Sequence, residues 1–255
     1  MALEILTIPC LRDNYAYLAR DPATGAVAVV DVPEAAPIIA ALDARGWQLS
    51  DVLITHHHWD HVGGLTELLE HAPARVIGAE ADSGRLPPLD IAVSEGDEVR
   101  IGDETGRVID VSGHTVGHIA FHFPDSAAVF TADSLMALGC GRVFEGSMPQ
   151  MHRSLAKLAA LPPETLVYSG HEYTEANAAF ALSVDPDNAR LAARAREIAE
   201  TRREGLPTVP VPLSEELATN PFLRGDDPGI RAGLGMETAS DAEVFGEIRA
   251  RKDRF

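Results

Sequence analysis

In the first two thirds of the chain, apolar positions fall in short runs separated by Gly, Pro, Asn and Asp. Runs of this length, rich in Val and Ile, predict strands. They cover 3–8, 15–20 after the turn at Asp13-Asn14, 26–32 after Pro22 and Gly25, 52–55, 75–79, 91–93, 98–101, 107–111, 119–123, 127–131 and 166–169. Elsewhere the spacing lengthens to that of an amphipathic helix. Over 34–45, Ile38, Ile39 and Leu42 share a face and Gly46 is placed to end the helix. Leu65, Leu68 and Leu69 mark a second helix, and Met151, Leu155 and Leu158 a third that Pro162-Pro163 stops. Beyond Tyr173 the pattern is helical: 174–182, then a helix that starts near the cap and first-turn pair Asp185-Pro186 and ends at Gly205. A proline-bearing linker, Leu206 to Leu213, leads to a final helix towards Arg251, opened by the capping-box pair Ser240 and Glu243. This predicts an α/β catalytic domain over 1–173 and a smaller helical domain over 174–255.

Ligand-type residues follow the strands. The segment Thr55 to His61 reads T-H-H-H-W-D-H and comes directly after Val52-Leu53-Ile54. His114, Asp133 and His171 each stand one to three residues beyond a later apolar strand. In layered α/β folds, loops beyond the carboxyl ends of strands gather at one edge, so these side chains can converge. His56 and His58 project to one side of an extended segment. Asp60 and His61 follow as the chain turns towards Val62-Gly63-Gly64, and can serve a second ion. The division that results puts His56, His58 and His114 on one ion and Asp60, His61 and His171 on the other. Asp133 bridges them, and a metal-bridging hydroxide held by Asp133, Asp60 and His58 is the expected nucleophile. Imidazole and carboxylate suit two divalent ions per chain, zinc first, with iron or manganese accepted by the same donors. The chemistry implied is hydrolysis of an activated carbonyl or a phosphoester.

The remaining histidines are read as structural: His57 faces away from the first ion, His71 ends a helix, and His118, His122 and His152 lack ligand spacing. Composition narrows the partners. The chain has 255 residues, 45% of them hydrophobic, and 39 acidic against 21 basic residues give a net charge of -18. That balance argues against nucleic acid and anionic membrane, which need clustered Lys and Arg. Cys10 and Cys140 are the only cysteines, too few for a disulfide framework, and read as buried small residues. With no secretory pattern and no apolar run of membrane-spanning length, a cytoplasmic monomer is expected.

The combination H-x-H-x-D-H, Gly113-His114-Thr115, Asp133 and Gly170-His171 resembles the metallo-β-lactamase superfamily. That resemblance implies a four-layered αβ/βα sandwich with a dinuclear site at its edge. Further segments are similar to glyoxalase II, the hydroxyacylglutathione hydrolase family: Asp13-Asn14-Tyr15, Cys140 to Gly146, Gly170 to Thr174, Asp185 to Asn188, Asn220 to Arg224, and Arg249 with Lys252, Asp253 and Phe255. The resemblance implies hydrolysis of S-(R)-lactoylglutathione and related 2-hydroxyacylglutathiones, in methylglyoxal detoxification. It also implies that Arg142, Phe144, Tyr173, Arg249 and Lys252 bind glutathione. Arg142 and Phe144 depart from members that carry Lys and Tyr there; Arg142 keeps the positive charge and Phe144 loses a hydroxyl. A basic final helix suits an anionic glutathione thioester on an otherwise acidic protein. The runner-up is a glutathione persulfide dioxygenase with one iron; the non-enzymatic reading is a metal-stabilised binding protein on the same fold.

Overall fold

The structure, a computed structural model, describes residues 2–255. The chain forms two compact units: residues up to Val111 together with Val116–Thr131, and Ser112–Thr115 together with Ala132–Phe255.

In the first unit, β1 (Glu4–Cys10), β2 (Asn14–Arg20), β3 (Val27–Val30), β4 (Leu49–Leu53), β5 (Arg75–Ala79) and β6 (Ile91–Val93) form one sheet in that order. Pairing is antiparallel from β1 to β3 and parallel from β3 to β6. A parallel step needs a crossover, and helices supply it. Helix α1 (Ala35–Arg45) joins β3 to β4; α2 (Trp59–Val62) and α3 (Leu65–His71) join β4 to β5. Ile38 and Leu42 of α1, with Leu65 and Leu68 of α3, pack with Val27, Val29 and Val52 in one core. Gly46 ends α1 with a left-handed φ of 63°, which only a residue without Cβ adopts at no steric cost. A second, antiparallel run comprises β7 (Glu98–Ile101), β8 (Glu104–Asp110), β9 (Ile119–Phe123) and β10 (Ala128–Ala132). The sheets meet through Tyr17 of β2 and Phe130 of β10, with ring centroids 5.6 Å apart.

The second unit holds the hairpin β11 (Leu135–Met136) and β12 (Gly139–Cys140), α4 (Met148–Ala159) and β13 (Leu166–Ser169). Helices α5 (Thr174–Val184) and α6 (Ala189–Arg203) follow, then β14 (Val211–Pro212), α7 (Leu213–Thr219), a 3-10 turn at Pro221–Leu223, α8 (Pro228–Leu234) and α9 (Asp241–Arg254). Leu138, at the tip of the hairpin, is buried among Ala178, Ala181, Leu191 and Ile198 of α5 and α6. Both halves of the capping box predicted at Ser240 and Glu243 are present.

Two expectations change here. Helix α6 begins at Ala189, because Asn188 caps it through Leu191 N, while Asp185 is occupied by Arg224. The predicted linker rejoins a sheet: Val211 and Pro212 pair with Val167 and Leu166. Helices α7 and α8, seven residues each, are too short for periodicity to have shown them.

Candidate metal centre

Thr55 and His56 emerge buried from the end of β4, and the single turn of α2 swings Asp60 and His61 round. His56 Nε2 lies 3.2 Å from His58 Nδ1, and His61 Nε2 lies 3.8 Å from Asp60 Oδ2. Asn14 Nδ2 donates to Asp60 Oδ2 at 3.1 Å and to its carbonyl at 2.9 Å, which places the Asp13-Asn14-Tyr15 segment behind that carboxylate.

Asp31, which stands outside every ligand motif in the sequence, orders this group. It is buried and follows β3 directly, at a left-handed φ of 56°. Its Oδ1 accepts from Thr55 N at 2.8 Å; its Oδ2 accepts from Thr55 Oγ1 and His61 Nδ1, each at 2.8 Å. Thr55 Oγ1 in turn accepts from His56 Nδ1 at 3.0 Å. With both Nδ1 atoms so engaged, His56 and His61 keep their lone pairs on Nε2. The signal that could have revealed Asp31 is the one that revealed the ligands: an acid immediately after an apolar strand.

His57 turns away as expected, its Nδ1 2.9 Å from Asp82 Oδ2. His118 is a buried ring stacked on His56, centroids 4.5 Å apart and 13° from coplanar.

In the second unit, Asp133 points one oxygen at each of two imidazoles. Oδ2 is 3.4 Å from His114 Nε2 and Oδ1 is 3.3 Å from His171 Nε2. His114 Nδ1 donates to the Arg142 carbonyl at 2.8 Å, which leaves its Nε2 free of a proton. Gly141 permits this approach: a Cβ there would sit 1.9 Å from the Asp133 carbonyl oxygen. Within the first unit, donor atoms of Asp31, His56 and His61 lie within 4.8 Å of one another. In that group Asp31 is engaged by Thr55 and His61 and orients rather than ligates. Nitrogen and carboxylate donors converging at this range fit borderline divalent ions.

Tyr173 stacks on His171 with centroids 4.7 Å apart and 8° between planes. Phe144 is 60% exposed, 5.3 Å from the His114 ring, with the exposed Arg142 guanidinium 5.8 Å over its face. Lys252 lies between Phe180 and Phe255, and burial, with Arg249 nearby, holds its pKa below the usual lysine value. Arg249 differs from these. It is 5% exposed, bonds the Cys140 carbonyl at 2.8 Å and Asp253 Oδ1 at 3.0 Å, and lies over Phe222. Burial pushes the Cys10 thiol up to about 12 and the Cys140 thiol up to about 11, so neither is a nucleophile at neutral pH.

Residues 12–171 match the family model of the metallo-beta-lactamase superfamily, and residues 172–255 match that of the hydroxyacylglutathione hydrolase C-terminus. A hydroxyacylglutathione hydrolase of Ruegeria pomeroyi is 66% identical over 255 residues, covering 100% of both chains. Among solved structures, the B3 metallo-beta-lactamase BLEG-1 aligns with a TM-score of 0.67 at 20% identity, over 86% of this chain and 99% of its own. TTHA1623 in a di-iron-bound form aligns with a TM-score of 0.57 at 28% identity, over 66% of this chain and 91% of its own.

Proposed function

The chain belongs to the hydroxyacylglutathione hydrolase family, on the metallo-β-lactamase fold, and we propose from that premise how its residues divide the work of thioester hydrolysis. It is a divalent-metal thioester hydrolase acting on 2-hydroxyacylglutathiones, S-(R)-lactoylglutathione foremost, to give glutathione and the hydroxy acid. In our reading His56, His58 and His114 would hold one ion, Asp60, His61 and His171 the other, and Asp133 would serve both. The observation that carries this is the divergence of the Asp133 oxygens, one towards His114 and one towards His171. When bound, such ions would supply a water of pKa lowered towards ~7 and a positive charge to offset the negative charge developing on the thioester oxygen.

The chain's own part is orientation. Asp31 fixes the His61 tautomer directly and that of His56 through Thr55. The Arg142 carbonyl does the same for His114. Arg142 and Lys252 supply cations for the carboxylates of glutathione, while the exposed faces of Phe144 and Tyr173 flank its sulfur end. Arg249 supports them from beneath, through Cys140 and Asp253. The leaving thiolate, of conjugate-acid pKa ~8.5, departs without a general acid. Residues 1–173 are then the catalytic domain and 174–255 the glutathione-binding domain.

We assign zinc as the metal, with iron or manganese as alternatives the donor set accepts equally. Free thiols at Cys10 and Cys140 suit a reducing cytoplasm, and the net charge of -18 suits a monomer that leaves nucleic acid unbound. Among the described residues, no helix is long and apolar enough to cross a membrane. Metal content and loss of the thioester absorbance, measured on one preparation, test the assignment. Two ions per chain with turnover is the expected result. Full metal loading without turnover would sink it, and one iron with oxygen uptake would favour the dioxygenase.

A further inference from the structure

We infer that Asn220 and Glu216, remote in sequence from every candidate ligand, are positioning residues that set the Asp133 carboxylate and the Arg142 carbonyl through the β11–β12 hairpin. This rests on the reading that Asp133 and His114 hold metal. The hairpin begins two residues after Asp133 and ends two residues before Arg142. It comprises only the pairs Leu135–Cys140 and Met136–Gly139, closed by a turn with Leu138 at a φ of 55°. Two pairs and a left-handed leucine do not hold a ribbon in one geometry by themselves.

Buried side chains from the C-terminal helices hold it instead. Asn220, fully buried, directs Nδ2 at the Met136 carbonyl (3.2 Å), the Gly139 carbonyl (3.0 Å) and Glu216 Oε2 (2.8 Å). Glu216, also fully buried, accepts from Leu138 N through the same oxygen at 2.9 Å, and its other oxygen pairs with Arg194. Asn177 Nδ2 donates to the Ala137 carbonyl at 3.0 Å, and Arg249 to the Cys140 carbonyl at 2.8 Å. Backbone polar groups of Met136, Ala137, Leu138, Gly139 and Cys140 are therefore each bound by a side chain from outside the hairpin.

The two ends are tied as tightly. Gly141 N donates to Ser134 O at 3.2 Å, and a Cβ on Gly141 would overlap the Asp133 carbonyl oxygen. Movement of the hairpin would thus displace Asp133 and the carbonyl that fixes His114 together. Metal sites tolerate only about 0.5 Å of such error. The helical region, on this account, sets metal affinity as well as substrate binding.

The test is competition of the apoprotein with a chromogenic chelator for Zn²⁺, alongside circular dichroism and thermal unfolding. Asn220→Ala should lower zinc affinity by about tenfold or more, the effect expected when an outer partner of a ligand is lost. Thr219→Val is the control. It removes a neighbouring bond from Arg194 (2.6 Å) without touching the hairpin, and should lower the unfolding temperature while leaving zinc affinity at the wild-type value. Wild-type affinity in Asn220→Ala, or equal weakening in both variants, would overturn the inference. Should Asn220→Ala not fold, Asn177→Ala, which loses one hairpin bond, carries the same expectation and the same refutation. If the wild type itself binds no zinc, the metal-centre reading fails first, and the inference falls with it.

Discussion

Asp31→Asn isolates the orienting role of one buried carboxylate with almost no change of volume. Three donors converge on Asp31: Thr55 N, Thr55 Oγ1 and His61 Nδ1, all at 2.8 Å. An amide has a single acceptor oxygen. If that oxygen keeps Thr55 N, the NH₂ faces the other two groups. The Thr55 hydroxyl can rotate to accept. His61 can accept at Nδ1 only by carrying its proton on Nε2, the atom that faces Asp60 at 3.8 Å. It then has no lone pair to offer an ion. The backbone gives no competing explanation, because Asn tolerates the left-handed φ of 56° at this position.

Bonds to a charged group contribute about 1.5–3 kcal/mol each, so the reversed His61 contact alone accounts for that much. The same magnitude corresponds to roughly 10–100-fold in metal affinity. The loss should be asymmetric, because His56 depends on Asp31 only through Thr55. Chelator competition on Asp31→Asn should therefore show one weakened ion and one near the wild-type affinity. Equal affinity for both ions, or equal weakening of both, would refute the tautomer argument.

The other predictions concern substrate and pH. Phe144→Tyr restores a hydroxyl beside the His114 ring and should lower KM for the glutathione thioester by up to roughly tenfold, a net bond being about 0.5–1.5 kcal/mol, with kcat unchanged. Unaltered KM would remove Phe144 from the glutathione site. Burial, and then the charge of Arg107, hold the His122 pKa below its ordinary 6.5. The unfolded chain therefore takes up that proton before the folded one does, so this contribution to stability is present above pH 6.5 and is lost as pH falls below it. Urea unfolding should show a shallower dependence in that window for His122→Gln than for the wild type; identical slopes would show that His122 does not titrate on unfolding.

The candidate ligands are legible in the chain because the signal is local. His56, His58, Asp60 and His61 sit within one short stretch, and the strand-end positions of His114, Asp133 and His171 follow from apolar runs that periodicity detects. The start of α6 was misplaced because Asp185-Pro186 is a good local cap, and the competing claim on Asp185 comes from Arg224, distant in sequence. Segment 206–213 read as a linker because prolines weaken a strand, yet Pro212 sits at the end of a two-residue edge pairing where its missing N–H is tolerated.

Spacing and residue chemistry thus pointed to the candidate ligands and to the family that supplies the substrate class. Only the tertiary structure decided how those side chains are held. Asp31 becomes a member of the centre because a left-handed turn after β3 brings its carboxylate to Thr55 and His61. Arg249, grouped in sequence with the surface cations of α9, is buried against Cys140 and Phe222. Asn220 and Glu216 reach the hairpin beside Asp133 from more than seventy residues downstream. The candidate ligands are written in short-range pattern. Hydrogen bonds that fix tautomers and carbonyls join residues far apart in sequence, and only folding brings those residues together.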